Sequence, residues 1–425
     1  MTKYTKRSNE MQFEHTVTNH GMPLYVYTMP SVMCTAVGVL ALTGTRDEGE
    51  GESGLAHALE HMMFQGNKDK VNSQEISEDI EVNGGNVNAW TSKEGTFYYR
   101  TVPNNAFGTA VQSLASQMRA PLFRETDVES EMKNVLEEIK KTQDNPAMLC
   151  RKNASRLIFG DHPLGKDILG SVESVSSFTR DSFVSWYNRF YYPANYAVVV
   201  VGNITLAEAL EEINQHSFGK MGGDLNKREF VGYENPSRTV ATEVVERDID
   251  QAHLCFGFPA GSASIKETHA LDMYSDMISG GMSYPLFQEL RDKRGLCYSV
   301  GAGISLFSDK SMFIFQIGTD VQRIDEAVKC IKDVMWSHRA DRGLYEKAQK
   351  MIAGQNALRF CHPNVILNHT ASEILISGSP KSPEEIVKEV QKIKLSTITE
   401  TVELYFSSDV LSYSYVVPKG ANIKA

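Results

Sequence analysis

Apolar residues recur along this chain in two rhythms, and their alternation divides it into similar halves. Residues 36–42, Ala-Val-Gly-Val-Leu-Ala-Leu, form an apolar run of strand length that ends in a glycine-rich turn from Gly44 to Gly54. A helix is predicted next, carrying His57-Ala58-Leu59-Glu60-His61 inside an apolar stretch. Farther on, Met132, Val135, Leu136 and Ile139 fall at i, i+3, i+4 and i+7 among good helix formers, which predicts a packed helix over 131–139. The second half repeats this grammar, with a strand expected over 252–258 and a helix from about 268 to 278. Each half closes on a β-rich segment, 196–201 in the first and 411–417 in the second. The parallels point to duplication followed by divergence, although direct identity between the halves is low.

Between the halves, residues 218–238 collect Gly219, Gly222, Gly223, Asn226, Gly232, Asn235 and Pro236 among charges, the composition of a linker. Two domains are therefore expected, 1–217 and 239–425. A chain of 425 residues exceeds one ordinary core in any case.

Composition narrows the class of protein. Hydrophobic residues at 41% and charged residues at 23% are those of a globular chain. No run approaches the length of a membrane span, so no membrane association is expected. Met1 to Arg7 leads into no apolar segment, and Glu10 and Glu14 are unlike a transit peptide, so a cytoplasmic location is expected. The formal charge of −10 and the lack of a basic patch argue against a nucleic-acid partner. Six scattered cysteines without a close pair read as reduced thiols.

The chemistry concentrates in His57, Glu60 and His61. A helix turns about 100° per residue, so positions i, i+3 and i+4 share one face, and both imidazoles and the carboxylate can converge. Zn²⁺ accepts neutral imidazole nitrogens, and a catalytic site takes three protein ligands while leaving one position open. The order HxxEH inverts the commoner HExxH and sets the candidate base just before the second histidine. A third ligand could come from the helix over 131–139. There Glu131 and Glu138 are nearly eclipsed, and Glu137 is rotated by about 100° from Glu138, so one of the two neighbours faces the site and the other does not.

Taken together, these segments resemble the pitrilysin/insulinase family of zinc metallopeptidases, in its short-chain, processing-peptidase-like form. Glu138 sits at the interval at which the family carries its glutamate ligand, and the resemblance extends through 84–92, 160–170, 191–202 and Leu286 to Ser299. It implies that His57, His61 and Glu138 bind one Zn²⁺ per chain, that Glu60 is the general base and that Glu131 supports the ligands. It further implies that Asn88 and Ala89 lie on an edge strand along which substrate is laid, and that Arg294 and Tyr298 reach the substrate carbonyl. The family's arginine before Leu286 is missing here, where Ser283-Tyr284-Pro285 stands.

By the same resemblance the fold is α+β: two tandem α/β domains with mainly antiparallel sheets, forming half of a clamshell around a chamber. The activity expected is a zinc-dependent endopeptidase acting on peptides or short unfolded chains, with two copies paired as a homodimer. Two alternatives are a non-catalytic subunit that keeps the clamshell and a subunit of an obligate heterodimer. All metal-binding positions being present disfavours the first, and the presence of both Arg294 and Tyr298 disfavours the second.

Overall fold

The computed structural model describes residues 11–220, 241–260, 265–406 and 411–423. Two compact units account for them. One draws on Met1–Ile139, Lys166–Glu229 and Arg359–Ser382, and the other on Lys140–Gly165, Phe230–Leu358 and Pro383–Ala425. Of the expected linker, residues 221–238 lie outside the described residues.

The first unit is built on a six-stranded sheet of β1 (Gln12–Val17), β2 (Pro23–Thr28), β3 (Cys34–Ala41), β4 (Asn86–Thr91), β5 (Thr96–Pro103) and β6 (Tyr196–Gly202). Their spatial order is β1-β2-β6-β3-β5-β4; β2 and β6 are parallel and every other neighbour is antiparallel. In β3 and β6 the apolar runs are continuous because both faces are covered. Val37, Val39, Val198 and Val200 point into the main core with the helices Phe107–Arg119 and Arg180–Phe190. The opposite face packs against the helix Pro363–Ser377, which comes from the far end of the sequence. From that helix Asn368 Oδ1 accepts the Trp90 Nε1–H of β4 at 2.6 Å.

The second unit holds β7 (Thr242–Arg247), β8 (Ala252–Ala260), β9 (Cys297–Leu306), β10 (Ser311–Thr319) and β11 (Ser412–Pro418) in the order β7-β11-β8-β10-β9. Again a single parallel pair, β7 with β11, sits in an otherwise antiparallel sheet. The order of β2 to β6 and that of β7 to β11 are the same, so the duplication suggested by the sequence appears as one topology built twice. Rings of Phe258, Phe313, Phe315 and Phe406 stack or meet edge to face in the second core.

Contiguous halves do not describe these units. The helix Pro146–Phe159 lies in the first half of the chain, yet packs Leu149, Cys150, Ala154, Ile158 and Phe159 on the second sheet, against β8 and β11. Its start is fixed locally, because Asn145 Oδ1 accepts the Ala147 and Met148 N–H groups and Pro146 needs no acceptor. Pro363–Ser377 does the reverse on β3 and β6 of the first sheet. Each half thus lends the other one helix at an equivalent place in its sheet, which hydrophobic period alone does not specify. Among the described residues, no helix is long and apolar enough to cross a membrane.

Candidate metal centre

The histidines lie on a two-turn helix, Leu55–Met62, whose Leu55, Ala56, Ala58, Leu59 and Met62 are buried in the first core. That leaves His57, Glu60 and His61 on the other face, as their spacing predicts. The helix begins at Gly54, which adopts a left-handed conformation with φ of 89°. A Cβ on Gly54 would fall 2.6 Å from the Leu169 carbonyl oxygen, and one on Gly170 would fall 2.2 Å from that of Ser53. Only glycine allows the backbones to meet this closely.

A longer helix, Glu125–Asp144, buries Val128, Met132, Val135 and Ile139 and carries the acidic residues. Glu138 Oε2 stands 3.6 Å from His57 Nε2 and 3.8 Å from His61 Nε2. The three donor atoms lie within 4.8 Å of one another, a spacing that one divalent ion could bridge. Glu137 is exposed, so of the two neighbours it is Glu138 that joins the histidines. Two turns back along the same face, Glu131 Oε2 is 3.3 Å from His61 Nδ1, and its Oε1 accepts Asn134 Nδ2–H at 3.1 Å.

The electrostatics suit a cation. Desolvation, with His61 adding repulsion, lowers the His57 pKa to about 4 against the pull of Asp167, so its imidazole is neutral and free to act as a ligand. At His61 desolvation is outweighed by the Glu131 hydrogen bond and by the Glu138 and Glu60 carboxylates, which lift its pKa above the ordinary value. Glu60 is also raised, by desolvation first and by Glu138, while the Thr91 hydrogen bond and His61 oppose the shift. Two imidazoles and a carboxylate, with a second carboxylate on one ring's far nitrogen, form a donor set that fits zinc.

Asn88 and Ala89 lie on β4, the edge of the first sheet. Asn88 Oδ1 accepts the Ala89 N–H at 2.8 Å. Arg294 closes a π-helical turn, Phe287–Lys293, and Tyr298 stands on β9 with 74% of its surface exposed. Gly295 follows with φ of 57°, as a residue ending a helix. Arg294 and Tyr298 belong to the second unit, whereas the histidines belong to the first.

Several supporting residues carried no signal in the sequence. Thr91, at the end of β4, donates to Glu60. Arg291 places its guanidinium 4.7 Å over the Tyr298 ring and donates to the Tyr298 carbonyl at 3.0 Å. Cys297 is pushed up to about 11 by burial, which keeps it a thiol.

Residues 27–172 match the family described as insulinase (peptidase family M16), and residues 177–349 match the peptidase M16 inactive domain. An uncharacterized zinc protease of Mycobacterium leprae is 31% identical over 79% of this chain and 75% of its own length. Another, from Bacillus subtilis, is 29% identical over 94% of this chain and 97% of its own length. Among solved structures, a protease from Helicobacter pylori aligns with a TM-score of 0.87 at 20% identity, covering 96% of this chain and all of that one. A peptidase M16 inactive domain from Pseudomonas fluorescens gives the same TM-score at 17% identity, over 97% and 99% of the two chains. In sequence and in fold, the chain belongs to the M16, or pitrilysin/insulinase, family of peptidases.

Proposed function

We propose that the chain is a zinc-dependent endopeptidase, with one Zn²⁺ held by His57, His61 and Glu138. The observation that carries this reading is the convergence of those three donor groups beside Glu60. Zinc, when bound, supplies a Lewis acid for a peptide carbonyl and makes water a nucleophile near neutral pH. Glu60 takes the proton of the attacking water and passes it to the leaving amine. Its raised pKa brings it closer to the working pH, where a base both accepts and returns a proton. Glu131 holds His61 through Nδ1, which leaves Nε2 for the metal.

A peptide in extended form lies along β4 at Asn88 and Ala89, read mainly through its backbone. Arg294 and Tyr298 bind the substrate carbonyl region, delivered by a second copy of the chain in a homodimer that encloses peptides and short unfolded chains. Sedimentation of the purified protein tests the pairing.

The catalytic reading is tested with full-length protein on a quenched peptide. Activity is expected to disappear with a chelator, return with zinc and fall by about 100- to 10,000-fold in Glu60→Gln. A zinc-loaded wild type without activity, or a Glu60→Gln variant equal to wild type, overturns it and favours a non-catalytic or partner-dependent subunit.

A further inference from the structure

The helix that carries the histidines has no cap of its own. Its N-cap is Gly54, which has no side chain, and its first turn contains no acidic residue. Two turns are too few for a helix to persist without outside support. Four N–H groups at such an end lack intrahelical partners, and His57 lies within that first turn.

The missing cap comes from the preceding loop. Glu48, 4% exposed, spans the helix end with both oxygens: Oε2 accepts the Gly54 N–H at 3.0 Å and Oε1 the Ala56 N–H at 3.1 Å. Leu55 N–H is taken by the Glu52 carbonyl at 2.8 Å. The loop is itself anchored. Arg46 N–H donates to the Lys93 carbonyl at 2.7 Å, the Arg46 guanidinium pairs with Glu94 at 2.7 Å, and Lys166 Nζ donates to the Glu48 carbonyl at 3.0 Å. At the other end Gln117 Nε2 donates to the Met63 carbonyl at 3.1 Å, and Gln117 Oε1 accepts from the fully buried Arg100 at 2.8 Å. Burial pushes the Glu48 carboxyl up to about 8, so its cap acts through hydrogen bonds rather than charge, while the Arg100 guanidinium beyond the C-terminus complements the helix dipole.

We propose that Glu48 is a positioning residue for the metal centre: by capping the first turn it holds His57 at the separation from His61 and Glu138 that one ion requires. This rests on the zinc reading given above. Without the cap, fraying starts at Gly54 and reaches His57 first, whereas His61 lies a turn deeper and is braced by Glu131. One ligand is therefore displaced while the other two stay in place. Zinc affinity and turnover should suffer, and peptide binding along β4 should not.

Glu48→Ala and the isosteric Glu48→Gln, in the full chain, test this by zinc competition with a chelator, by the visible spectrum of the Co²⁺-loaded protein, and by amide exchange. Zinc affinity is expected to fall about 10- to 100-fold in Glu48→Ala, as when other outer partners of metal ligands are removed, and by less in Glu48→Gln, which keeps one acceptor oxygen. The Co²⁺ bands should shift, kcat should fall with KM unchanged, and the Ala56 and His57 amides should exchange faster while those of β6 stay protected. Should Glu48→Ala not fold, Glu48→Gln decides by the same readouts. If wild type takes up zinc and the folded variants match it within twofold in affinity and kcat, the positioning role is overturned. If wild type takes up no zinc, the zinc reading falls and this inference with it.

Discussion

The Thr91 hydroxyl donates to Glu60 Oε2 at 2.5 Å, joining the last residue of the edge strand β4 to the carboxylate between the two histidines. The strand proposed to receive substrate and the proposed base are thus one hydrogen bond apart. A bond to a charged group contributes about 1.5 to 3 kcal/mol. Thr91→Val is therefore expected to lower kcat about 10- to 100-fold with zinc affinity unchanged, and Thr91→Ser to retain most of the activity. Steady-state kinetics beside zinc titration check this.

Glu131 reaches the metal site through the far nitrogen of His61. Glu131→Gln keeps the shape and removes the charge. Zinc affinity should fall about 10- to 100-fold, an effect on a ligand's partner rather than on a ligand. Chelator competition reads it, with Glu138→Gln expected to lose much more.

Arg46 and Glu94 form an ion pair with side chains 4% and 3% exposed. Removing one partner of such a pair leaves a buried charge and costs about 3 to 5 kcal/mol. Glu94→Gln should destabilise the first unit by that amount in urea unfolding. Replacing both residues by apolar ones of similar size should recover much of the loss.

His369 sits on the exchanged helix Pro363–Ser377, and burial lowers its pKa to about 4, with Arg359 adding to the shift. A base lowered in the folded state binds fewer protons there than in the unfolded chain. Stability from this group is therefore complete above about pH 6.5 and is lost as pH falls toward 4, by about 3 kcal/mol in all. Unfolding free energies at pH 7, 5.5 and 4 should show this slope in wild type and a smaller one in His369→Gln.

Much of the fold was legible because buried strands and amphipathic helices leave strong periods. The strand expected over 252–258 is Ala252–Ala260, and the helix expected over 131–139 is the centre of Glu125–Asp144. His57, Glu60 and His61 share a face because helix geometry leaves no other arrangement. The rest depends on tertiary contacts, which a linear pattern does not record. The choice between Glu137 and Glu138 depends on how one helix is turned toward another. Thr91, Glu48 and Arg291 make one or two hydrogen bonds or a ring contact each, with no periodic signature. Nor does any local signal tell Pro146–Phe159 to pack on β8 and β11, which begin at Ala252 and Ser412.

That lending of helices sets an order of events during synthesis. β3 and β6 leave the ribosome with one apolar face whose cover, Pro363–Ser377, has not yet been made. At about 5 to 20 residues per second the nascent chain carries this surface for roughly ten to thirty seconds. Pro146–Phe159 meanwhile waits for β8 and for β11, the last strand of all. Neither unit is complete until translation nears its end, so the growing polypeptide carries uncovered apolar surface long after its first strands are made.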